Sequence, residues 1–355
     1  MSGTSLDGVD AVLAELGPSG QTTLLRAHYL PYPDSLRAQL LALHTPQPDE
    51  IHLAACAANE LARLYAEAVN TLLDGATNVR AIGCHGQTLR HRPADGYTLQ
   101  IGNASLLAEL TGMTVISDFR SRDIAAGGQG APLVPAFHAQ VLSHPTIHRV
   151  IANIGGIANI TDLPATGVVR GWDTGPGNML LDAWIKRHQH VHYDQNGDWS
   201  KSGTVDAALL SALLAHPYLK QPPPKSAGRE EFNLDWLDAQ LSQLGRVISP
   251  VDVQATLLEF TARSLCDAVQ RECPTTQALY VCGGGVHNAT LMQRLHSLLP
   301  DIQVASTSDV GIDPDWMEAL AFAWLARQTL HHLPGNLPAV TGARGARILG
   351  AIHPA

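Results

Sequence analysis

Cysteine and positive charge are both scarce in this 355-residue chain. The five cysteines are scattered and odd in number, and no pair has zinc-like spacing, so the sequence predicts reduced thiols in a cytoplasmic protein. Only 23 lysines and arginines stand against 32 acidic residues, and the formal net charge of -9 argues against a broad nucleic-acid or anionic-membrane surface. The sequence shows neither a signal peptide nor an apolar run of membrane-spanning length, so we expect no membrane partner.

Hydrophobic residues make up 45% of the chain, which is enough for a sizeable core, and the length favours two domains over one. Apolar runs predict strands at 9–16 and 278–282, whereas helical periodicity predicts helices at 52–73, 251–271 and 315–330. This mixture predicts an α/β fold. Only six residues precede the Asp-Gly turn that leads into the strand at 9–16, too few for a full partner strand. We therefore expect either that the chain begins late relative to its relatives or that the strand before the turn is a stub.

Glycine is abundant, and three glycine-rich turns each follow an apolar run, at residues 3–8, 153–159 and 282–286. Because glycine has no Cβ, its backbone N–H groups can converge on an anion. Each turn alone could be an ordinary connection, but their order predicts phosphate-binding loops around a nucleotide. A P-loop motif is absent. The residues predicted to bind the nucleotide are Gly3, Thr4, Ser5, Leu6, Asp7, Gly8, Val9, Asp10, Asn153, Gly155, Gly156, Gly283, Gly284 and Gly285.

Two aspartates are candidates for chemistry. Asp173 ends an apolar strand and is followed by Thr-Gly-Pro-Gly, a tight and stiff turn. A carboxylate fixed there could take a proton from an attacking water or hydroxyl, and the alternative is an Asx-type turn residue. Asp7 could hold Mg²⁺ beside the phosphates, directly or through water, or make a local turn hydrogen bond.

Polar residues also follow two further predicted strands, at 81–88 and 114–120. Mixed charges at the end of a strand suit a polar substrate such as a sugar acid, and an arginine there could bind a carboxylate in a bidentate manner. The alternatives are a solvated salt-bridge network and a histidine buried in the core. A carboxylate in the first turn of an apolar helix needs a partner or favours the helix N-terminus. The residues predicted to bind substrate are His85, Gln87, Thr88, Arg120, Asp123 and Glu318.

Together these motifs resemble the anhydro-N-acetylmuramic acid kinase family, within the actin, hexokinase and Hsp70 superfamily. The similarity covers essentially the whole chain, and it is the conjunction of motifs that is specific. One motif carries Ala227 where the family has a hydroxyl residue. The matching segments are residues 1–10, 83–88, 118–120, 153–159, 173–178, 225–230 and 282–285.

The resemblance implies a two-lobed, actin/hexokinase-like (ribonuclease H-like) ATPase fold with a central interlobe cleft. It also implies an enzyme of peptidoglycan recycling that uses ATP and Mg²⁺ to open the 1,6-anhydro ring of the sugar with water and to phosphorylate O6. If the family's residue roles apply to the matching positions, Asp173 would be the base that deprotonates the water. Residues 3–10 would form the first phosphate loop, and Arg120 and Glu318 would contact the sugar. A homodimer in the cytoplasm is also implied.

For the lobes, we predict residues 1–135 with 336–355 for the first and residues 136–335 for the second. The second would hold the second phosphate loop, the Asp173 turn and an adenosine loop. Two other functions remain open from the sequence alone. One is an ordinary hexose or amino-sugar kinase of the same superfamily, and the other is an ATP-gated binding module.

Overall fold

The computed structural model describes residues 1–3, 6–17, 20–75, 78–228 and 230–355. The chain folds into two compact units. Unit 1 comprises Met1–Val141 and Trp316–Ala355, and unit 2 comprises Leu142–Asp315.

Both units contain strands and helices interspersed along the chain, which confirms the predicted α/β class. The strands are β1 (Gly8–Leu16), β2 (Thr22–Pro31), β3 (Ile82–Gly83), β4 (Gln87–Arg92), β5 (Tyr97–Ile101), β6 (Val115–Ser117), β7 (Arg149–Ile154), β8 (Ile157–Leu163), β9 (Arg170–Pro176), β10 (Ala278–Cys282), β11 (Gln303–Ser306) and β12 (Ala351–His353). The helices are α1 (Asp34–Ala42), α2 (Glu50–Leu73), α3 (Ala104–Thr111), α4 (Ser121–Ala125), α5 (Val134–Leu142), α6 (Met179–Gln189), α7 (Asp198–Ser202), α8 (Ala207–Leu214), α9 (Pro217–Lys220), α10 (Leu234–Gln243), α11 (Pro250–Glu272), α12 (Ala289–Leu298), α13 (Met317–Leu330) and α14 (Pro338–Thr341).

Unit 1 contains three small sheets. The strands β1 and β2 form an antiparallel hairpin, β4 and β5 form a second hairpin, and β6 lies between β3 and β12. The long amphipathic helix α2 packs on β1, β2 and α3, and its buried residues Leu61 and Tyr65 belong to the core of this unit. Ahead of β1, the backbone N–H of Asp10 donates to the carbonyl of Met1 at 2.8 Å. A cavity of about 530 Å³ lies between β1, α2, β3 and α13.

Helix α13 belongs to unit 1, which corrects the predicted lobe boundary. The prediction placed residues 136–335 in the second lobe, but residues 136–141 and 316–335 fold with unit 1. The physical reason is that α13 packs on β1, β3 and β6 through an almost entirely apolar surface. Sequence periodicity reports that a helix is buried, and it does not report which sheet buries it.

Unit 2 is built on a single five-stranded sheet in the order β11-β10-β7-β8-β9. The strands β7, β8 and β9 form an antiparallel meander, and β10 and β11 run parallel to β7. This order is the one expected of the predicted ribonuclease H-like fold. Helix α11 packs on β8 and β9 and buries apolar side chains such as Phe260, which is fully inaccessible.

Three predicted elements differ from the structure at their ends. The strand predicted at 81–88 is limited to β3, because the chain turns at Gly86, with φ +75°, into the hairpin strand β4. The strand predicted at 114–120 ends at Ser117, since Asp118 takes a left-handed φ of 53°. Helix α13 begins later than predicted, because the Asp313 side chain accepts from the N–H of Asp315 and caps a separate turn.

None of the helices in the described ranges combines the length and the apolar character that a membrane crossing requires.

Candidate active site

The second glycine turn and the Asp173 turn are hydrogen-bonded to each other at the carboxyl end of β7. The N–H of Asn178 donates to the carbonyl of Gly155 at 2.8 Å, and the N–H of Gly177 donates to the carbonyl of Gly156 at 2.9 Å. A Cβ on Gly177 would stand 2.3 Å from the oxygen of Gly155, so this contact requires glycine at 177. The pairing fixes the turn after β9 against the turn between β7 and β8.

The third glycine turn packs on the same end of β7. A Cβ on Gly283, where φ is +77°, would lie 2.3 Å from Oδ1 of Asn153, and one on Gly285 would lie 2.4 Å from Cγ2 of Ile154. The side-chain amide of Asn178 donates to the carbonyl of Ile154 at 3.1 Å. Within unit 2 the fold thus brings together Asn153, the glycine pair 155–156, the glycines 283–285 and the Asp173 turn, as the sequence predicted.

Three glycines in this group are not required by the fold. A Cβ built on Gly155, Gly156 or Gly284 would make only ordinary contacts, at 3.7, 3.8 and 3.9 Å respectively. None of the three has a φ in the left-handed region. Neither a close contact with a described residue nor a left-handed φ accounts for glycine at these three positions.

Asp173 lies in β9 at an irregularity of the sheet. It pairs with Asn159, whereas Gly175 pairs with Ala158, so the β8–β9 register shifts between these pairs. Bulges of this kind re-aim side chains and recur beside active sites. The partly buried Asp173 carboxylate is held through Oδ2, which accepts from the backbone N–H of Ala227 at 2.9 Å.

Burial is the main influence on Asp173 and raises the pKa of its carboxyl to about 6. The Ala227 N–H bond and the ammonium group of Lys225 both act in the opposite direction. A general base works best when its pKa is near the operating pH. Asp173 is therefore ionised at neutral pH and more basic than an exposed aspartate.

The first glycine turn lies in unit 1, ahead of β1. Thr4 and Ser5 lie outside the described residues. The carbonyl of Asp7 accepts from the hydroxyl of Tyr29 and from the N–H of Tyr32, both at 2.9 Å, so its backbone is held while its side chain is exposed. A Cβ on Gly8 would stand 2.5 Å from the carbonyl oxygen of Leu30, so β2 requires glycine there. Leu6 is buried with a φ of 56°, Val9 is buried, and Gly3 and Asp10 are partly exposed.

Arg120 and His85 form a pair in unit 1. Both Nε and Nη2 of Arg120 donate to Nε2 of His85, at 3.1 and 2.9 Å, and Nη1 donates to the carbonyl of Gly130 at 2.8 Å. His85 packs against Phe322 and is nearly inaccessible, and burial followed by the Arg120 charge lowers its pKa well below the usual value. This neutral histidine therefore presents a lone pair that orients the guanidinium group.

Arg120 has no carboxylate within ion-pairing distance among the residues that the structure describes. Burial lowers its pKa to about 10, and the charge of Glu318, in the first turn of α13, acts against that change. A desolvated cation without an ion pair favours an anionic ligand. Thr88 is partly exposed, and its hydroxyl accepts from Nε2 of Gln100 at 3.2 Å.

Two of the residues predicted to bind substrate, Asp123 and Gln87, have inaccessible side chains that are hydrogen-bonded inside unit 1. Asp123 accepts from the N–H of Gly130 at 2.8 Å and from Asn336 and Thr341 at 2.6 and 2.8 Å, and thus ties the loop after α4 to the C-terminal segment. Gln87 accepts from the hydroxyl of Tyr32 and donates to the carbonyl of Gly3. Its role is to support the first glycine turn.

Comparison with known proteins decides the family. The family model described as anhydro-N-acetylmuramic acid kinase matches residues 1–355. A protein of that name from Thiobacillus denitrificans is 72% identical over a 357-residue alignment that covers all of this chain and 96% of the relative. Another, from Nitrosomonas europaea, is 55% identical and is covered to 98%.

This chain belongs to the anhydro-N-acetylmuramic acid kinase family. The assignment confirms the resemblance predicted from the motifs and makes the protein an ATP-dependent sugar kinase with a small-molecule substrate. It does not favour the two other functions that the sequence alone left open.

Solved structures resemble this member of the anhydro-N-acetylmuramic acid kinase family only distantly. One is a glucokinase of the ROK family from Streptomyces griseus, in complex with glucose and AMPPNP. It is 13% identical at a TM-score of 0.39, and the alignment covers 90% of this chain and 99% of the glucokinase chain. Component A of the (R)-2-hydroxyglutaryl-CoA dehydratase from Acidaminococcus fermentans is 12% identical at a TM-score of 0.43, with coverages of 88% and 95%.

Sequence reasoning assigned no role to the segment that surrounds Asp173. The hydroxyl of Tyr218 donates to the carbonyl of Asp173 at 2.8 Å, and the N–H of Asp173 donates to the carbonyl of Lys225 at 3.2 Å. The available signal was the 225–230 motif shared with the anhydro-N-acetylmuramic acid kinase family. Because Ala227 contacts Asp173 through its backbone, the absent hydroxyl leaves that contact intact.

Proposed function

We propose that this kinase acts on 1,6-anhydro-N-acetylmuramic acid, opens the anhydro bridge with water and transfers the γ-phosphoryl group of ATP to O6. The observation that carries the proposal is the placement of Asp173. Its carboxylate is desolvated, oriented by the Ala227 N–H and fixed beside glycine turns whose backbone is open to a ligand.

In the proposed step, the Asp173 carboxylate takes a proton from water as the water oxygen bonds to C1 of the sugar. The bond between C1 and the bridging oxygen breaks, and its electron pair stays on that oxygen, which becomes O6. O6 then bonds to the γ-phosphorus, and the bond from that phosphorus to the β–γ bridging oxygen breaks to release ADP. Positioning and charge stabilisation supply most of the rate in phosphoryl transfer.

The open backbone at Gly155, Gly156 and Gly284 supports a phosphate-binding role for these glycines. Their N–H groups can approach an anionic oxygen without obstruction by a Cβ. The closely packed Gly283 and Gly285 instead hold this surface on β7. Gly3 is proposed to act in the same way as Gly155, Gly156 and Gly284, from the first glycine turn of unit 1.

The sugar carboxylate fits the anion preference of Arg120. The lactyl group of the substrate carries that carboxylate, and Arg120 presents a guanidinium group that His85 orients and that has no ion pair with a described carboxylate. Arginine binds carboxylates in a planar, bidentate geometry. We assign Glu318 and Thr88 to hydroxyl or amide groups of the same sugar.

Asp7 fits a magnesium site of the kind that kinases use. Mg²⁺ prefers hard oxygen ligands and is held by one or two carboxylates together with substrate phosphates and water. The exposed carboxylate of Asp7 on a fixed backbone suits this pattern, with Asp10 nearby in sequence. No group of three or more acidic, histidine or cysteine side chains in the described ranges could hold a metal alone. When bound, Mg²⁺ would neutralise phosphate charge.

The decisive experiment incubates the protein with ATP, Mg²⁺ and the anhydro sugar in ¹⁸O-labelled water. We expect mass spectrometry to show N-acetylmuramic acid 6-phosphate with label at C1 and none in the phosphate. Product made in ordinary water and then held in labelled water corrects for exchange at C1. If the product carries no label after that correction, attack by water on C1 is excluded, and the protein would be a sugar kinase without the hydrolytic step.

Asp173→Asn tests the base directly. It preserves shape and the acceptor for the Ala227 N–H, so we expect ATP binding to persist while kcat falls by about 10²–10⁴-fold. Asp235→Asn, at an exposed position of α10, is the matched control and should behave as wild type. Near-normal turnover of Asp173→Asn would contradict the assignment.

We also propose a cytoplasmic homodimer, which the family resemblance implies. Light scattering coupled to size-exclusion chromatography measures its mass, and a mass near 37.8 kDa would show a monomer instead.

A further inference from the structure

Lys225 links both ends of the segment that encloses Asp173. Its ammonium group donates to the carbonyls of Tyr218 and Leu219, at 2.9 and 3.2 Å, at the start of the segment in α9. The ammonium nitrogen also lies 4.5 Å from the centroid of the Tyr218 ring. One side chain thus closes residues 218–225 into a loop.

The closed loop contacts Asp173 at three points. The hydroxyl of Tyr218 donates to the Asp173 carbonyl, the Asp173 N–H donates to the carbonyl of Lys225, and the N–H of Ala227 donates to Oδ2. Both backbone polar groups and one carboxylate oxygen of Asp173 therefore bond to this loop and its continuation. The second carboxylate oxygen has no hydrogen bond among those described within unit 2, which suits a water ligand.

Charged groups on neighbouring elements also act on this loop, and Nη2 of Arg271 donates to the carbonyl of Leu219 at 3.3 Å. Burial first, and then the charge of Arg271, lower the pKa of Lys225 to about 8, whereas Glu272 and Asp173 act in the opposite direction. Burial raises the pKa of Tyr218, with Asp173 and Glu231 adding to the effect, so its hydroxyl stays a donor. Lys225 is the cation that acts on the Asp173 carboxylate.

We propose that Lys225 is a positioning residue for the reaction: it locks the 218–227 segment around Asp173 and so sets the position and the electrostatic environment of that carboxylate. This inference rests on the proposed function, since Lys225 affects the reaction only if Asp173 is the base. It goes further by assigning a role to a side chain outside the glycine turns and the sugar contacts.

The test compares Lys225→Met, which keeps the stem and removes the charge and the donors, with Lys225→Arg, which restores both. We expect Lys225→Met to lower kcat about ten- to hundredfold with little change in KM for ATP, because the base is misplaced. The acidic limb of its kcat–pH profile should move upward by roughly one pH unit, because an opposite charge is lost. Lys225→Arg should return the limb towards the wild-type position.

Lys220→Met is the control, since Lys220 is exposed at the end of the same short helix. A second readout needs no turnover: the ¹³C carboxyl titration of Asp173, identified by its absence in Asp173→Asn, should shift upward in Lys225→Met. An unshifted titration and an unchanged limb in folded Lys225→Met would overturn the inference. If Asp173→Asn itself stays active, the assignment of Asp173 as the base fails, and the carboxyl titration still measures the coupling of the two residues.

Discussion

Two glycines in the same cluster should respond in opposite ways to replacement by alanine. Gly177 faces the Gly155 oxygen, and its Cβ would stand 2.3 Å away. Gly156 has room for a Cβ, whose nearest neighbour would be the Cβ of Met179 at 3.8 Å, an ordinary van der Waals contact. Gly177→Ala therefore tests whether packing requires glycine at 177, whereas Gly156→Ala tests whether nucleotide binding requires glycine at 156.

The magnitudes follow from these distances. Gly177→Ala must displace a backbone carbonyl, so we expect a loss of about 1–3 kcal/mol in the free energy of unfolding, towards the upper end of the range for overpacking. Gly156→Ala should leave stability within about 1 kcal/mol of wild type. If its methyl group blocks one charge-assisted hydrogen bond to phosphate, worth about 1.5–3 kcal/mol, KM for ATP should rise about 10- to 150-fold.

Urea denaturation measures the first quantity, and initial rates at varied ATP measure the second. The two variants serve as controls for each other, since they lie on adjoining turns. Wild-type stability of Gly177→Ala would refute the packing argument. A folded Gly156→Ala with unchanged KM for ATP would refute the claim that this glycine is reserved for a ligand.

Three further results are expected. Because burial raises the pKa of Asp173 to about 6, kcat should fall as the pH drops below 6. For the same reason Asp173→Asn should unfold in urea with a free energy about 1–2 kcal/mol higher than that of wild type above pH 6. This gain in stability should develop between pH 4 and 6 and be absent at lower pH. Asp123→Asn should lose about 2–3 kcal/mol of stability in urea, since its new amide faces a donor, and should keep its sugar KM; a stability equal to wild type would contradict the buried network. Arg120→Lys should raise the KM for the sugar about tenfold or more, because lysine cannot bind a carboxylate in a bidentate manner. The variant enzyme should also discriminate less than wild type between the substrate and 1,6-anhydro-N-acetylglucosamine, which lacks the carboxylate. Undiminished discrimination would show that Arg120 does not bind the carboxylate.

Prediction from the sequence was most reliable for residues whose type allows few local backbone conformations. A glycine-rich turn after an apolar run, or Asp173 before Thr-Gly-Pro-Gly, restricts the backbone locally, and the predicted turns of unit 2 do lie together. Sequence reasoning says least about the polar residues near those motifs. Asp123 and Gln87 had the right composition for a sugar site, but burial and hydrogen bonds assign them to the scaffold.

The sequence by itself determined the α/β class, the glycine turns, the position of the candidate base and the family, because these depend on local patterns and on motifs that recur together. Only the tertiary structure decided that α13 packs with unit 1, that His85 orients Arg120, and that Lys225 closes a loop around Asp173. His85 and Arg120 lie 35 positions apart, and the Ala227 N–H that binds Asp173 lies 54 positions from it. Which sheet α13 packs on likewise depends on strands far away in the sequence. Periodicity and spacing carry no information about such contacts, because they are made by side chains that meet only after the chain has folded.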